Sequence, residues 1–566
     1  MTKIDPVIIL PGINHSPTLL YDENGRAVFN GKGRQIGGTL FFTKNDRLLK
    51  KELPALLSKL EMSRITRRDM GVENAAYALA SEAFEYQRCE NDGTMKYNLK
   101  TMRFGSLASM DKSRLQWAYC MVPMQGLVKE TGLDSIWFYT FNLVGDPIES
   151  TKELDKYIDM VMEKTGAGKV TLMPVSLGGT ILTSYLEMFG HKKIGRIVSV
   201  VGCLDGSDIA ADMLERNFDT SDEFLRHRFL AEAFKEIKGD ETGGYAANLY
   251  LNTLPRKAFN SLYTGIMSGI IDTVMKNCPQ IWAMIPSTRY EALSARYLSG
   301  PGSAVLKEKT DYFQKARLAL RRNLLKAHDD GVKIDVISGS NLAFGEKEYS
   351  FFGAIGSARL INGDGILSLN STTLGATGAK PGETLPDEYL NNAKQSGVFE
   401  KGYISPDNKI DVSTAAFPDN TWIFLNQHHE VGNNHAVINL VKDIVLGKVS
   451  NVHSDPENHP QFNGNCHTKH LSRWRLPDSV RLIESDESAL ETEDRNKLKE
   501  LVDKAKALLD ETIADGERAD NLKNEIEEIL ARYGMFKKPE QPTAKKEKIK
   551  EILKSASEKT GIRSGK

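Results

Sequence analysis

The sequence predicts a three-layer α/β fold, in which a parallel sheet is covered by helices on both faces. The main observation is an alternation of short apolar runs with segments of helical period. The strand signals lie at 135–139, 169–174 and 196–201, and the helical signals between them lie at 149–165 and 179–189. Such alternation is typical of a parallel sheet, because a helix usually connects each pair of parallel strands.

Further strand signals lie on both sides of this series. Residues 7–10 form a continuous apolar run that is closed by a Pro-Gly pair, and strand patterns resume at 332–338 and 421–425. Short, continuous apolar runs are expected for strands that are buried on both faces. A helix at 437–446 is predicted to close the fold.

A helical insertion and a helical C-terminal region are predicted around this core. Residues 204–330 have mostly helical period, and from about residue 484 the composition shifts to Glu, Lys, Asp, Ala and Leu. At 566 residues, the chain is longer than a single core usually grows. The predicted regions are a first part of the core at 1–203, a helical cap at 204–331, a second part of the core at 332–450, a linker at 451–483 and a helical region at 484–566.

Composition and charge exclude some classes of protein. Hydrophobic residues make up 40% of the chain and charged residues 26%, which is ordinary for a folded globular protein. Lys and Arg number 74 against 75 Asp and Glu, so the basic surplus of a dedicated nucleic-acid binder is missing. We therefore expect no nucleic-acid partner.

The cysteines and the chain start bear on the compartment. Five scattered cysteines without a CxxC pair indicate neither a zinc site nor a dense disulfide scaffold, although one or two bridges stay open. No signal-peptide pattern precedes the first strand, and no stretch approaches the ~20 apolar residues of a spanning helix. We expect a cytoplasmic protein without a transmembrane segment as the sequence stands, or a secreted one if a signal peptide was removed.

Ser176 is the candidate nucleophile. It follows the predicted strand 169–174 and precedes a helix, and Gly178 and Gly179 come directly after it. In a nucleophile elbow, the serine occupies a strained turn where the strand and helix backbones nearly touch, so small residues are needed nearby. Pro174 departs from the glycine usually found two residues before the serine. The alternative is an ordinary strand-to-helix turn.

Two backbone amides are candidates for an oxyanion hole. Acyl transfer needs N–H donors aimed at the developing oxyanion, one from the residue after the nucleophile and one from the loop after an earlier strand. These positions are Leu177 and Ile13. His15 is expected to be a loop histidine rather than a base, because it precedes the nucleophile in the chain.

Asp364 and His435 are the candidate acid and base. The order serine, acid, histidine is expected along this type of chain, and Asp364 lies in a glycine-flanked turn after a late strand. His435 lies in a polar loop before the last apolar helix. Asp335 is a rival acid, and His428 and His429 are rival bases.

No metal site is predicted. The loose group of His453, His459, His467 and His470, with Asp455 and Cys466, matches no standard zinc spacing. We interpret it as a solvated loop, and we expect no cofactor.

Five stretches resemble the lecithin:cholesterol acyltransferase family of α/β-hydrolases, which includes lysosomal phospholipase A2 and plant phospholipid:diacylglycerol acyltransferases. The likeness covers roughly residues 5–446, but Pro174 and Val175 replace the family's glycine and histidine. The similar stretches are 6–12 (strand and oxyanion loop), 139–142 followed by Asp146 and Pro147, 176–179 (elbow), 362–371 (acid loop) and 278–286 (cap). The resemblance implies an α/β-hydrolase fold and a lipid or other hydrophobic acyl ester as substrate.

The sequence thus predicts a serine hydrolase or O-acyltransferase that forms an acyl-enzyme, with a lipid-type substrate that could lie at a membrane surface. A short-chain carboxylesterase or thioesterase is one alternative, and a non-catalytic binding module of the same fold is another. Trp282 is the predicted substrate-binding residue of the cap. The acyl-chain wall is predicted to comprise Phe229, Leu230, Trp282, Met284 and Ile285.

Overall fold

A computed structural model gives the fold of the chain. It describes residues 4–31, 33–39, 51–119, 122–218, 220, 225, 250–342, 361–432, 434–464, 476–484, 490–510 and 516–533. The chain divides into two compact units, at 1–466 and 467–566. The predicted linker at 451–483 therefore contains the boundary between the units.

The first unit is built on a seven-stranded sheet. Its strands, in spatial order, are β12 (Phe462–Asn463), β11 (Thr421–Leu425), β8 (Lys333–Ser340), β7 (Ile194–Val200), β6 (Val170–Pro174), β1 (Val7–Leu10) and β5 (Ile136–Phe138). All neighbouring pairs are parallel. Smaller antiparallel sheets are formed by β3 (Gly37–Gly38), β2 (Thr18–Tyr21) and β4 (Asn98–Thr101), and by β9 (Thr377–Gly378) with β10 (Ile410–Asp411).

Helices cover both faces of this sheet. The helices that flank it or connect its strands are α3 (Lys112–Tyr119), α4 (Gln125–Thr131), α5 (Pro147–Thr165), α6 (Gly178–Phe189), α12 (Leu369–Thr373), α13 (Asp387–Gln395) and α14 (His435–Val445). Alternate residues of β1 enter different cores: Val7 and Ile9 pack toward α14, whereas Ile8 and Leu10 pack toward α5 and α6. This arrangement confirms the predicted three-layer α/β fold, and the architecture is α/β-hydrolase-like.

The helical cap between β7 and β8 shares its core with a segment that was not predicted to belong to it. The cap helices are α7 (Asp208–Glu215), α8 (Arg256–Ile270), α9 (Pro279–Trp282), α10 (Ser287–Tyr297) and α11 (Ala304–Asp329), and they pack with α1 (Leu53–Thr66) and α2 (Val72–Ala83). Gly265 and Gly269 allow α8 to approach α2 closely, since a Cβ on Gly265 would lie 2.4 Å from the Glu73 carbonyl oxygen. The N-terminal part of the chain thus contributes to the cap.

The second unit is helical in its described part. Its helices are α15 (Leu476–Ile483), α16 (Thr492–Asp510) and α17 (Gly516–Arg532), which share a small apolar core. The sequence places 451–464 in a linker, but the structure assigns this segment to the first unit, where it supplies the edge strand β12. Across all the described helices of the chain, none is both long and apolar enough to cross a membrane.

Candidate active site

Ser176 lies on a strained turn between β6 and α6. Its φ angle is +52°, a left-handed conformation that costs a residue with a side chain roughly 1–2 kcal/mol. Three backbone hydrogen bonds hold it there: its N–H donates to the Val200 carbonyl (3.2 Å), and its carbonyl accepts from Cys203 (2.8 Å) and Gly179 (3.0 Å). Ser176 is half-buried at the carboxyl end of the sheet.

Glycines allow the backbones around this turn to meet. A Cβ on Gly178 would lie 2.0 Å from the Leu10 carbonyl oxygen, and one on Gly179 would lie 2.7 Å from the Cys203 backbone nitrogen. Such approaches are closer than any side-chain carbon tolerates, so only glycine fits. The local sequence after the serine is therefore explained by contact of α6 with β1 and with the chain after β7.

Pro174 is accommodated because of its position in the sheet. Successive backbone N–H groups of a strand point alternately to its two neighbours. Those of Thr171 and Val175 point to the β1 side, so the backbone nitrogen of Pro174 faces β7. The β6–β7 pairing ends at Leu172 and returns as a single bridge at Val175. The N–H that proline lacks therefore falls in a gap of the ladder, where its absence breaks no paired bond.

Asp364 is completely buried in a tight turn. Its Oδ1 accepts hydrogen bonds from the backbone N–H groups of Ile366 (2.9 Å) and Leu367 (2.7 Å), and its Oδ2 lies 2.7 Å from His429 Nδ1. Gly365 has φ +86°, which the turn requires. The backbone amides fix the carboxylate so that one oxygen faces the imidazole.

His429 connects this carboxylate to Ser176. Its Nε2 lies 2.8 Å from Ser176 Oγ. Because a carboxylate only accepts, Nδ1–H donates to Asp364 and the bare Nε2 can accept the serine proton. The backbone N–H of His429 also donates to the Asp364 carbonyl oxygen at 3.0 Å.

The loop that carries His429 is held by its neighbours. Asn434 caps α14 by accepting from the N–H groups of Ala436 and Val437, and its Nδ2 donates to Gln427 Oε1 at 2.7 Å. Gly339, near the end of β8, makes room for both loops, because a Cβ there would lie 2.4 Å from the Gln427 carbonyl oxygen and 2.9 Å from Asp364 Cβ. The acid loop and the histidine loop therefore meet beside β8.

The structure places His429, and not His435, between Asp364 and Ser176. Both ring nitrogens of His429 are engaged by Asp364 and Ser176, so this residue occupies the position that the sequence gave to His435. His435 is instead the first residue of α14, six residues further along the chain. The rival His428 accepts a backbone N–H from Glu430 through Nδ1 at 3.4 Å.

The rival acid Asp335 has a structural partner. It is buried in β8, where its Oδ2 accepts from Arg196 at 2.6 Å and its Oδ1 accepts from Asn420 at 3.2 Å. Burial raises the pKa of this carboxyl, with the Arg196 charge opposing. Asp335 therefore forms an ion pair between neighbouring strands, and it is Asp364 that contacts His429.

The two predicted oxyanion donors belong to segments that adjoin Ser176. Ile13 begins a short 3₁₀ turn after Gly12, where a Cβ would lie 3.2 Å from Ser176 Cβ, and Leu177 leads into α6. Among the hydrogen bonds between described residues, neither of these backbone N–H groups donates to a protein acceptor. Both amides remain candidates to receive an oxyanion.

His15 is packed away from solvent. It stacks on Trp117 with ring centroids 4.5 Å apart, and its Nε2 lies 3.1 Å from the Trp117 carbonyl oxygen. Burial lowers the pKa of the imidazole to about 4, although the backbone contact and the Glu430 charge raise it. His15 is thus a neutral, buried side chain in the loop that carries Ile13.

The predicted acyl-chain wall divides into different environments. Trp282 is 1% exposed, donates from Nε1 to the Lys276 carbonyl oxygen and packs edge-on against Tyr290 and Tyr297, so it lies inside the cap core. Met284 is partly exposed and contacts the cap core. It also contacts a cluster of Cys203, Ile366 and Leu367, close to the turn that carries Asp364. Phe229 and Leu230 lie outside the described residues.

In the part of the chain that the structure describes, no group of three or more His, Cys, Asp or Glu side chains is arranged to hold a metal ion. His459 pairs with Asp443 and His453 with Asp419, whereas Cys466, His467 and His470 lie outside the described residues.

Comparisons with known proteins add little to this geometry. No protein-family model matches the chain, and no curated protein matches it. Among solved structures, the Tle4–Tli4 complex is 13% identical, covering 60% of this chain and 75% of that chain with a TM-score of 0.23. A Burkholderia cenocepacia protein provisionally described as an aryl esterase is 18% identical, covering 39% and 87% with a TM-score of 0.13. TM-scores this low carry no argument about the site.

Proposed function

We propose that the protein is a serine hydrolase or acyltransferase that acts on ester-bonded acyl groups through Ser176, His429 and Asp364. The observation that carries the proposal is the continuous hydrogen-bond path from the buried carboxylate through both imidazole nitrogens to the hydroxyl. A structural serine needs no such path. Activation of a hydroxyl by a base that a third group orients is the arrangement required for nucleophilic catalysis.

The mechanism follows from the atoms in place. His429 Nε2 takes the proton as Ser176 Oγ attacks the ester carbonyl carbon, and Asp364 stabilises the resulting imidazolium. The amide N–H groups of Leu177 and Ile13 would stabilise the oxyanion, and removal of one such donor typically costs ~10²–10³ in rate. The imidazolium then protonates the departing alcohol, leaving an acyl-serine. Water or a second alcohol, deprotonated by His429, releases the acyl group.

A serine-directed fluorophosphonate tests this proposal without knowledge of the substrate. Labelling of the full chain should map to Ser176 and should be lost in Ser176→Ala. Ser109→Ala is the matched control, because Ser109 is an exposed serine whose hydroxyl donates only to the nearby Ser106 carbonyl oxygen. Labelling at another serine, or none on folded protein, would refute the assignment and favour a non-catalytic binding module.

For the substrate, we propose a lipid-type acyl ester. The resemblance to the lecithin:cholesterol acyltransferase family supports it, as does the apolar cluster that the partly exposed Met284 forms with the buried Ile366 and Leu367, which follow Asp364 in the chain. A wall of this kind should discriminate between acyl chains of different length, by at most ~1–3 kcal/mol per methylene.

The chain-length test compares short and long acyl esters in two variants. Met284→Ala should change the preference between chain lengths, because Met284 lies near the site. Trp282→Ala should lower stability by ~3–5 kcal/mol while leaving the preference unchanged, because Trp282 packs within the cap. Equal activity on all chain lengths in the unmodified protein would favour a short-chain esterase instead.

A further inference from the structure

Two buried cysteines meet where the N-terminal segment contacts the cap. Cys89 is 1% exposed and Cys278 is fully buried. Their sulfur atoms contact consecutive carbonyl oxygens of one loop: Cys89 Sγ lies 3.3 Å from the Val144 oxygen, and Cys278 Sγ lies 3.6 Å from the Leu143 oxygen. Because these two carbonyl groups belong to adjacent residues, the two thiols are neighbours.

The backbones around the two cysteines are closely fitted. Asn277 Nδ2 donates to the Cys89 carbonyl oxygen at 3.3 Å and to Asn91 Oδ1 at 3.1 Å. On the other side of the same turn, a Cβ on Gly93 would lie 2.9 Å from the Pro279 ring. The turn around residues 89–95 therefore packs directly on the segment that begins α9. These contacts hold Cys89 and Cys278 close to each other.

We propose that Cys89 and Cys278 form an intramolecular disulfide when the chain folds in the presence of a disulfide oxidant such as oxidised glutathione. The bond would tie the N-terminal segment to the cap and close a loop between residues 89 and 278. It is independent of the chemistry at Ser176. Disulfides that close long loops can stabilise a fold by restricting the unfolded chain.

The exchange balances in two steps. One cysteine thiolate attacks the oxidant disulfide, forms a mixed disulfide and releases one small thiolate. The second cysteine thiolate then attacks the mixed disulfide at the protein sulfur and releases the other small thiolate. The protein loses two protons and two electrons, and the oxidant is reduced to two thiols.

Burial determines when the exchange can occur. The neighbouring Cys278 thiol and the loss of solvent both raise the pKa of the Cys89 thiol, so the reactive thiolate is disfavoured once the turn has packed on the cap. The bond should therefore form while the turn is open during folding. After closure, the same burial shields it from soluble reductants.

The test uses the full chain, refolded with oxidised glutathione and then blocked with an alkylating agent. Peptide mass spectrometry without reduction should show residues 89 and 278 in one cross-linked pair, two hydrogens lighter than the free peptides. The oxidised protein should melt several degrees above the reduced protein. The Cys278→Ala variant should remove that difference, and circular dichroism would verify that it folds.

Cys203→Ala is the matched control. Cys203 is also buried, but it packs against Ile366 and Leu367, and burial raises the pKa of its thiol to about 12. The melting difference between oxidised and reduced protein should persist in this variant. Alkylation of both Cys89 and Cys278 after refolding in the oxidant, or pairing of either one with a different cysteine, would overturn the proposal.

Discussion

Replacement of Asp364 by asparagine tests the proposed hydrogen-bond path from Asp364 through His429 to Ser176. The two oxygens of Asp364 have different partners, since Oδ1 accepts from two backbone N–H groups at 2.7 and 2.9 Å and Oδ2 faces His429. An asparagine carbonyl oxygen must take the place of Oδ1, because an NH₂ group there would face two donors. The NH₂ group is thereby directed at the imidazole.

This orientation reverses the hydrogen bonds of the histidine. An NH₂ group donates to Nδ1, so the ring carries its proton on Nε2 and donates toward Ser176 instead of accepting from it. A base in the wrong tautomer cannot take the serine proton, and the equivalent change in a serine protease lowers kcat by ~10⁴. We expect a loss of about that size in Asp364→Asn, with KM and thermal unfolding nearly unchanged because the backbone hydrogen bonds are kept.

Asp411→Asn provides the matched control. Asp411 is also a buried carboxylate, with one oxygen on the Ser413 backbone N–H (2.7 Å) and the other on the Tyr389 hydroxyl (2.8 Å), but it touches no histidine among these contacts. Steady-state hydrolysis of an activated ester by both variants, alongside calorimetry, makes the comparison. If Asp364→Asn kept kcat within tenfold of the unmodified protein, the argument from oxygen geometry would fail.

Two further changes test the base and the elbow. His429→Ala should lower kcat at least ~10³-fold whereas His435→Ala should keep most activity, and the reverse result would return the role of base to His435. Gly178→Ala should prevent stable folding, because its Cβ would lie 2.0 Å from a carbonyl of β1, which cannot move away; Gly168→Ala, with no atom within 4 Å of its Cβ, is the control in thermal unfolding. A Gly178→Ala protein as stable as the control would contradict the proposed close contact.

The central sheet could be predicted because its signals are local. Each buried strand is a short apolar run, and each crossover helix has its own period, so both can be recognised in a window of about ten residues. The strand predicted at 421–425 coincides with β11, and the helix predicted at 149–165 differs from α5 only by two residues at its start. Ser176 and Asp364 could be proposed for the same reason, since two glycines follow the serine at 178 and 179 and a glycine lies on each side of the aspartate.

The histidine that contacts Ser176 could not be chosen from the sequence. Three histidines lie within eight residues, at 428, 429 and 435, and all of them satisfy the order along the chain. The choice depends on where the loop crosses Asp364, which is set by long-range contacts such as that of Gly339 with Gln427. Asn434 was a local signal that could have helped. Asparagine is favoured at helix N-caps, so this residue indicates that the helix begins at His435 and that the loop lies before it.

The extent of the cap was missed for a related reason. Helices α1 and α2 are separated from α8 by more than 170 residues of sequence, and α2 meets α8 across glycines that carry no distinctive local pattern. Periodicity shows that a helix has an apolar face, but it does not show which distant helix covers that face. The edge strand β12 was missed because a two-residue strand is too short to produce a periodic signal.

Two strained backbone positions meet at the candidate site. Ser176 has φ +52°, and Val201, at the end of β7, has φ +43°, which is a rare conformation for a β-branched residue. The two strained turns are joined, because Ser176 donates to the Val200 carbonyl and accepts from the Cys203 N–H. Strain of this kind persists only where the surrounding structure enforces it, and it concentrates at functional sites. A binding module would gain nothing from holding a serine in this conformation within 2.8 Å of an oriented imidazole, whereas a nucleophile requires both features.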